Sequence, residues 1–343
     1  MSKPENPTVT RFAAARPLLC SLAMMALLVS SASSSSNATQ EKKKPLRDKQ
    51  TQPESTPQPQ RADEPLRLHS DLVVVNVTVT DASGEYAHGL NAADFNISED
   101  DAVQGVSSFA AEETPFAAAI LIDMSGSMGY KFGLVRAAAA SFIDHIREND
   151  QVAVYGFNNK VRLLQEFSDS RDISDYVWDA KAEDSTRLYD CIDEAIEALV
   201  KRPEKRRAVV MISDGWDSSS RKATSASVMK KALSVGVTIY ALDLIEASAL
   251  NGSGSEVMPL RRGRGEMKEF AGQTGGRYVN SPQGDGLDDE FNGIVEELRN
   301  QYTLTYYSTN QKRDGRWRKL NVNVSRQGMT TRARRGYWAP KSG

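Results

Sequence analysis

Residues 72–81, LVVVNVTVTD, alternate between two sides: Val73, Val75, Val77 and Val79 on one, Val74, Asn76, Thr78 and Thr80 on the other. Period two in β-branched residues predicts a strand. DASGEYAHG turns the chain, and DFNISED and VQGVSSFAAEE supply further short strands. From Phe116 the pattern changes. FAAAILID, QVAVYGF, RRAVVMISDG and VTIYALDL are apolar strand runs, with the shorter VRLLQEF after the second. Helical patterns separate them. One covers 132–147, with Val135, Ala138 or Ala139, Phe142 and Ile146 at helical spacing, and another covers 172–180. EDSTRLYDCIDEAIEALV is a loop running into a helix, and ATSASVMKKALSVG is the next helix. GEMKEFAGQTGGRYV reads as helix, glycine stop and short strand, and LDDEFNGIVEELRNQY as the last helix. Residues 246–265, with their Gly, Ser and Arg, read as a long surface loop. After Arg299 period two returns, with Tyr302, Leu304 and Tyr306 on one face and, past an RDG turn, Leu320, Val322 and Val324 on one face.

Strands alternating with helices predict an α/β fold: a doubly wound, mostly parallel sheet with helices on both faces, here over residues 115–300. The flanking β units, 66–114 and 301–343, are each too short to bury a core alone. The expectation is that they join into one small β-sandwich into which the α/β domain is inserted. The alternative is that each packs separately on the α/β body.

The N-terminus has another character. Arg11 and Arg16 precede the apolar LLCSLAMMALLV, and the small residues SSASSSSNA follow. That is the layout of a secretory signal, assigned to residues 1–32. The apolar run is shorter than the roughly 20 residues of a membrane span, although an uncleaved N-terminal anchor is the alternative. Leu19 is too large to precede a lipid-modified Cys20. Residues 33–65, rich in Ser, Thr, Gln, Pro and Lys, cannot bury enough surface to order themselves and read as a tether. The expected location is secreted or periplasmic, with no transmembrane segment in the mature chain. Removal of the signal leaves Cys191 as the one cysteine and no intrachain disulfide.

The whole chain has 343 residues, enough for about two domains, and a net charge of −2. That balance argues against general nucleic-acid binding, which asks for a strongly basic domain. The chemistry sits elsewhere. In an open α/β sheet, ligand groups lie at the carboxyl ends of the strands. Three loops bring oxygen donors there: Asp123, Ser125 and Ser127 after FAAAILI, Thr186 ahead of a helix, and Asp214 after VVMIS. Two carboxylates and three hydroxyls form an all-oxygen set suited to Mg²⁺, Mn²⁺ or Ca²⁺. With no histidine or cysteine in these loops, zinc is a poor fit. A single Asp-x-Ser turn could equally be a helix cap, but three such loops argue for an ion.

DMSGSM resembles the DxSxS motif of the von Willebrand factor type A family. TRLYDCI resembles its second loop, with the metal-binding threonine, and ISDGWD its third, with the aspartate. The flanks, VNVTVTDASGEYAHGLNAADFNISEDD and QYTLTYYSTNQKRDGRWRKLNVNV, are similar to bacterial secreted von Willebrand factor A-related proteins first grouped from acidobacteria. The resemblance implies a metal-ion-dependent adhesion site. Ser125 and Ser127 would bind the ion directly, Thr186 directly in one state, and Asp123 and Asp214 often through water. Ligands that are mostly neutral hydroxyls leave the ion much of its charge, and an acidic side chain of a partner protein can then fill an open position.

An enzyme reading has less to stand on. DMSGSM lacks the second acid expected of phosphoryl transfer. No histidine stands near the serines as a nucleophile's base would. Cys191, among Leu188, Ile192 and Ala195, reads as core. The RRGRG run, 261–265, reads as a solvated loop, and the basic C-terminal residues, Arg318 and Arg334 among them, as the wet face of a sheet. The reading is a non-enzymatic, cation-dependent protein-recognition module. The alternative is a structural or assembly factor of the cell envelope in which the metal only rigidifies the loops.

Overall fold

The computed structural model describes residues 71–342 apart from 112, 173–184, 247, 252–253, 255–256 and 281–285. The expected signal, the tether and, but for Asp172, the helix at 172–180 lie outside the described residues. The first strands are β1 (Leu72–Thr80), β2 (Phe95–Glu99), β3 (Ala102–Gln104) and β4 (Val106–Ala110). The α/β part follows with β5 (Phe116–Asp123), α1 (Phe132–Asp144), β6 (Gln151–Phe157), β7 (Val161–Ser168), α2 (Leu188–Val200), β8 (Arg206–Ser213), α3 (Ser225–Val235), β9 (Thr238–Asp243), α4 (Val257–Thr274), β10 (Tyr278–Asn280) and α5 (Leu287–Asn300). The chain closes with β11 (Tyr302–Tyr307), β12 (Trp317–Val324), β13 (Thr330–Ala333) and β14 (Gly336–Trp338).

The central sheet runs β10-β9-β8-β5-β6-β7, parallel except for β7 at one edge. All eight residues of β5 are buried, because both faces are covered. Ala118, Ile120 and Ile122 pack with Val135, Phe142 and Ile146 of the α1 region and Phe291, Ile294 and Leu298 of α5. Ala117, Ala119 and Leu121 face the opposite side, with Leu188, Ile192 and Ile196 of α2, Val228 of α3 and Phe270 of α4. Cys191 lies in this second layer. Regular α-helix ends at Asp144, short of the expected 147, where His145 and Ile146 donate to carbonyls three residues back. Among the described residues no helix is long and apolar enough to cross a membrane.

Two further four-stranded sheets, β13-β1-β11-β4 and β14-β12-β2-β3, each combine strands from both ends of the chain. Their facing sides share one core, with Val75, Val77, Ile97, Leu304, Tyr306 and Val322. The α/β part thus interrupts a β-sandwich. Both connections between the two pass beneath Arg206, the first residue of β8, which is fully buried. Its guanidinium donates to the carbonyls of Ala111 (2.5 Å) and Thr114 (3.1 Å) on the way in. It also donates to the carbonyl of Arg299 (2.9 Å) and to Thr303 Oγ1 (3.2 Å) on the way out. Buried Glu297 adds a second tie, accepting from Tyr240 Oη at 2.8 Å and Arg332 Nη2 at 2.6 Å.

Two sequence expectations fail here. Residues 257–265 are not surface loop but the first half of α4. Pro259 is compatible because N–H groups in a helix's first turn have no intrahelical acceptor. Nor are all the C-terminal basic residues on a wet face. Arg318 is buried against Glu99 and Asp314, and Arg334 is buried while donating to the carbonyls of Leu233 and Val74.

Candidate functional site

Strands β5 and β8 are parallel neighbours, so the chain leaves both at the same edge of the sheet. Past Asp123 it turns into a 3-10 segment, Gly126–Lys131. Asp123 is fully buried: Oδ1 accepts from the Ser125 backbone N–H (2.9 Å) and Oδ2 from Ser213 Oγ (2.5 Å). The same Ser213 hydroxyl oxygen accepts from the Gly215 N–H at 2.9 Å, so one side chain links both loops. Above it, Ser125 Oγ and Ser127 Oγ are 3.0 Å apart, and Ser127 Oγ donates to Asp214 Oδ2 at 2.8 Å.

Ser125, Ser127, Thr186 and Asp214 line one open cleft of about 450 Å³, together with Trp216, Ser218 and Leu260. Four of the five expected residues therefore converge. Asp123 does not line the cleft but lies beneath it, holding the Ser125 turn. Sequence reasoning missed Ser213, which stands inside the ISDG motif. It also missed Leu260, because its segment was read as loop.

The electrostatics favour a cation. Burial, and then the charge of Asp214, push the Asp123 carboxyl up to about 7. Burial likewise raises Asp214, against the Trp216 N–H and the Ser127 hydroxyl. Two buried carboxylates that resist ionising together mark a place where a positive ion would be stabilised. Among the described residues, no three acidic, histidine or cysteine side chains cluster to hold a metal. The donor set depends on hydroxyls, which suits a hard oxygen-seeking ion and not zinc.

The surrounding loops hold one another. The Thr186 carbonyl accepts from the N–H groups of Ser218 (3.0 Å) and Ser219 (2.9 Å), and the Thr186 N–H donates to Ser218 Oγ at 2.9 Å. Asp190, one turn along, accepts from the N–H groups of Arg221, Lys222 and Ala223. Burial works against its charge, but these amides outweigh it and hold the carboxyl below the usual range. Helix α4 closes the other side, with Gly263 backbone against Gly215 backbone. A Cβ on Gly215 (φ +76) would lie 2.7 Å from the Gly263 carbonyl, and one on Gly263 would lie 2.6 Å from the Gly215 carbonyl carbon. The RRGRG run is accordingly not solvated loop. Arg264 pairs with buried Asp243 at 2.6 Å, and Arg262 pairs with Glu266 at 2.9 Å.

A doubly wound α/β domain whose strand ends gather hydroxyl and carboxylate oxygens into one cleft defines the class. More particularly, the chain carries a von Willebrand factor type A domain: residues 118–216, which span all five of the expected site residues, match the model of that domain family. Domains of this type are typically interaction modules. No curated protein sequence matches the chain significantly. Among solved structures the chain is similar to a von Willebrand factor type A protein from Catenulispora acidiphila, at 12% identity over 79% of this chain and 74% of that one (TM-score 0.45). It is also similar to the conserved hypothetical protein BatB from Bacteroides thetaiotaomicron, at 15% identity over 54% of this chain and 98% of that one (TM-score 0.44). A third is the PilB minor pilin from Streptococcus sanguinis, at 14% identity over 55% of this chain and 62% of that one (TM-score 0.42).

Proposed function

We propose that this is an exported, non-enzymatic binding protein that recognises an acidic side chain of a partner protein through a divalent cation. Asp123, Ser125, Ser127, Thr186 and Asp214 would hold Mg²⁺, or Mn²⁺ or Ca²⁺. When bound, the ion supplies a positive centre with a position open to the cleft. Ser125 and Ser127 offer it neutral oxygens, Asp214 offers a carboxylate from the facing loop, and Asp123 keeps the serine turn in place from below. The observation that carries the reading is the contact Ser125–Ser127–Asp214, three oxygens from two loops in hydrogen-bond range at the floor of an open cleft.

The competing role, a metal that only stiffens the loops, has less support. Those loops already share backbone hydrogen bonds through Thr186 and amide bonds to Asp190, so stiffening them does not call for an ion. The signal-like segment at 1–32 and the tether at 33–65 support export and reach.

The test is thermal unfolding in chelator and in Mg²⁺, Mn²⁺ or Ca²⁺. An ion at about 100 times its Kd adds about 2.7 kcal/mol, a rise of several degrees for a domain of this size. Asp123→Ala should abolish the rise. Identical unfolding temperatures in chelator and in all three ions would refute the proposal.

A further inference from the structure

The ion cleft has a neighbour. A second hollow, of about 560 Å³, has Tyr189, Trp216, Asp217, Met258, Pro259 and Glu266 in its lining. Trp216 lines both, so it stands on the border between them. Its backbone N–H already donates to Asp214 Oδ1 at 3.0 Å, which leaves the indole as the part that faces a visitor.

The first turn of α4 completes this border. Met267, Phe270, Ala271 and Thr274 belong to the buried stripe of the helix, and Leu260 stands at the matching spacing nearer its start. There the helix has run past the strand ends, because Gly263 already packs on Gly215 beyond β8. Leu260 therefore overhangs the ion cleft. Met258 is 64% exposed. Trp216 and Leu260 are half-buried, yet among the described residues they pack on none of the three cores. Apolar side chains scattered singly over a surface are ordinary. These adjoin one another and border the hydroxyls of the ion site.

Both acids of the second hollow are taken up from within. Glu266 accepts from Tyr189 Oη and from Arg262 Nε (2.9 Å). Asp217 accepts from Ser220 Oγ and from the Tyr189 N–H (3.3 Å). What remains for a ligand is the apolar surface of Trp216, Met258 and Pro259. In an extended segment, side chains two positions apart point the same way, about 6.6 Å from one another. We propose that the partner segment is bipartite: an acid for the ion and, two positions from it, a large apolar or aromatic side chain seated on Trp216, Met258 and Pro259. Trp216 and Met258 set this preference. The inference rests on the cation-dependent reading given above.

The test is fluorescence anisotropy of labelled, end-blocked heptapeptides with the full chain in saturating Mg²⁺. One peptide has a central Glu among alanines. Two more carry Phe two positions before or two positions after that Glu, and a control replaces the Glu by Gln. One Phe peptide should bind about tenfold tighter than the alanine peptide, the gain from burying most of an aromatic side chain. Trp216→Ala and Met258→Ser should each cut that ratio to about threefold or less, and Trp216→Phe should keep most of it. The ratio is taken within each variant, so any change in ion binding cancels, and the unfolding temperature in chelator checks folding. Chelator, or Gln in place of Glu, should abolish binding. Three results overturn the inference while leaving the metal site standing: no gain from Phe, a ratio undiminished in both Trp216→Ala and Met258→Ser, or Phe-peptide binding that persists in chelator. Self-association of wild type that Met258→Ser abolishes also overturns it, because a second copy would then fill the hollow. Failure of wild type to bind Mg²⁺, Mn²⁺ or Ca²⁺, read from the unfolding temperature, overturns the underlying reading itself.

Discussion

In helix α4 intrinsic propensity and packing at the site pull in opposite directions, and one substitution made at two positions separates them. Gly263 and Gly265 both lie inside the helix, Val257–Thr274. Glycine to alanine in a helix interior ordinarily stabilises by about 1 kcal/mol. At Gly265 an added Cβ meets nothing within 4 Å, so the whole gain should be realised. At Gly263 the Cβ would stand 2.6 Å from the Gly215 carbonyl carbon, 2.7 Å from its oxygen and 3.0 Å from the Asp214 carbonyl oxygen. These are backbone atoms, and no side-chain rotation relieves them; helix and loop must separate. Overpacking of this kind costs about 1–3 kcal/mol, and rigid backbone on both sides puts it toward the upper end. Set against the propensity gain, the net loss is about 2 kcal/mol. At roughly 2–4 °C per kcal/mol, Gly265→Ala should raise the unfolding temperature by about 2–4 °C and Gly263→Ala should lower it by about 4–8 °C. Scanning calorimetry of the two variants and wild type, in chelator, measures this directly. Gly263→Ala should also weaken Mg²⁺ binding, because the displaced loop carries Asp214. If Gly263→Ala proves as stable as Gly265→Ala, helix α4 does not rest on the Asp214 loop and the account of the site's closed side is wrong.

Arg206→Met should lower stability by about 3–5 kcal/mol in urea unfolding, because it strands the carbonyls of Ala111, Thr114 and Arg299; a loss below about 1 kcal/mol would refute its clamping role. In the ion-free protein, stability should fall as pH rises from the ordinary carboxylate range to about 7. Folded Asp123 holds its proton across that window and the unfolded chain does not. Saturating Mg²⁺ should flatten this slope, and an ion-free profile that rises with pH there would contradict the buried acid pair. Asp190→Ala should cost about 1–3 kcal/mol and speed hydrogen exchange at the amides of Arg221, Lys222 and Ala223. Because that carboxyl is held low, its contribution is present above the ordinary carboxylate range and lost as pH falls through its lowered value; unchanged amide exchange in the variant would refute it.

Much of the architecture is legible in local pattern. The runs FAAAILID and QVAVYGF coincide with β5 and β6, and the alternation from Val73 to Val79 matches the buried side of β1. Such periodicity is set by backbone geometry within a few residues, so it is written locally. The donor residues are legible for a related reason. Each sits where an apolar strand run ends or a helical pattern begins, and in a parallel sheet those ends fall on one edge.

Other features are decided only when distant segments meet. The RRGRG segment resembles loop by composition, because its glycines lower helix propensity and Pro259 stands just before it. It is helix because Gly263 fits against Gly215 and Arg264 reaches Asp243. The pairing of β1 with β11 joins residues more than two hundred positions apart, with nothing in either strand to name the partner. Lys131 is buried with its Nζ on the Leu244 carbonyl, a contact between segments more than a hundred positions apart. The sequence by itself determined the order of the elements and the oxygen-bearing turns, because both follow from short-range geometry. Tertiary structure alone decided what lies beneath and beside those turns, because burial and charge at one point depend on every segment that packs there.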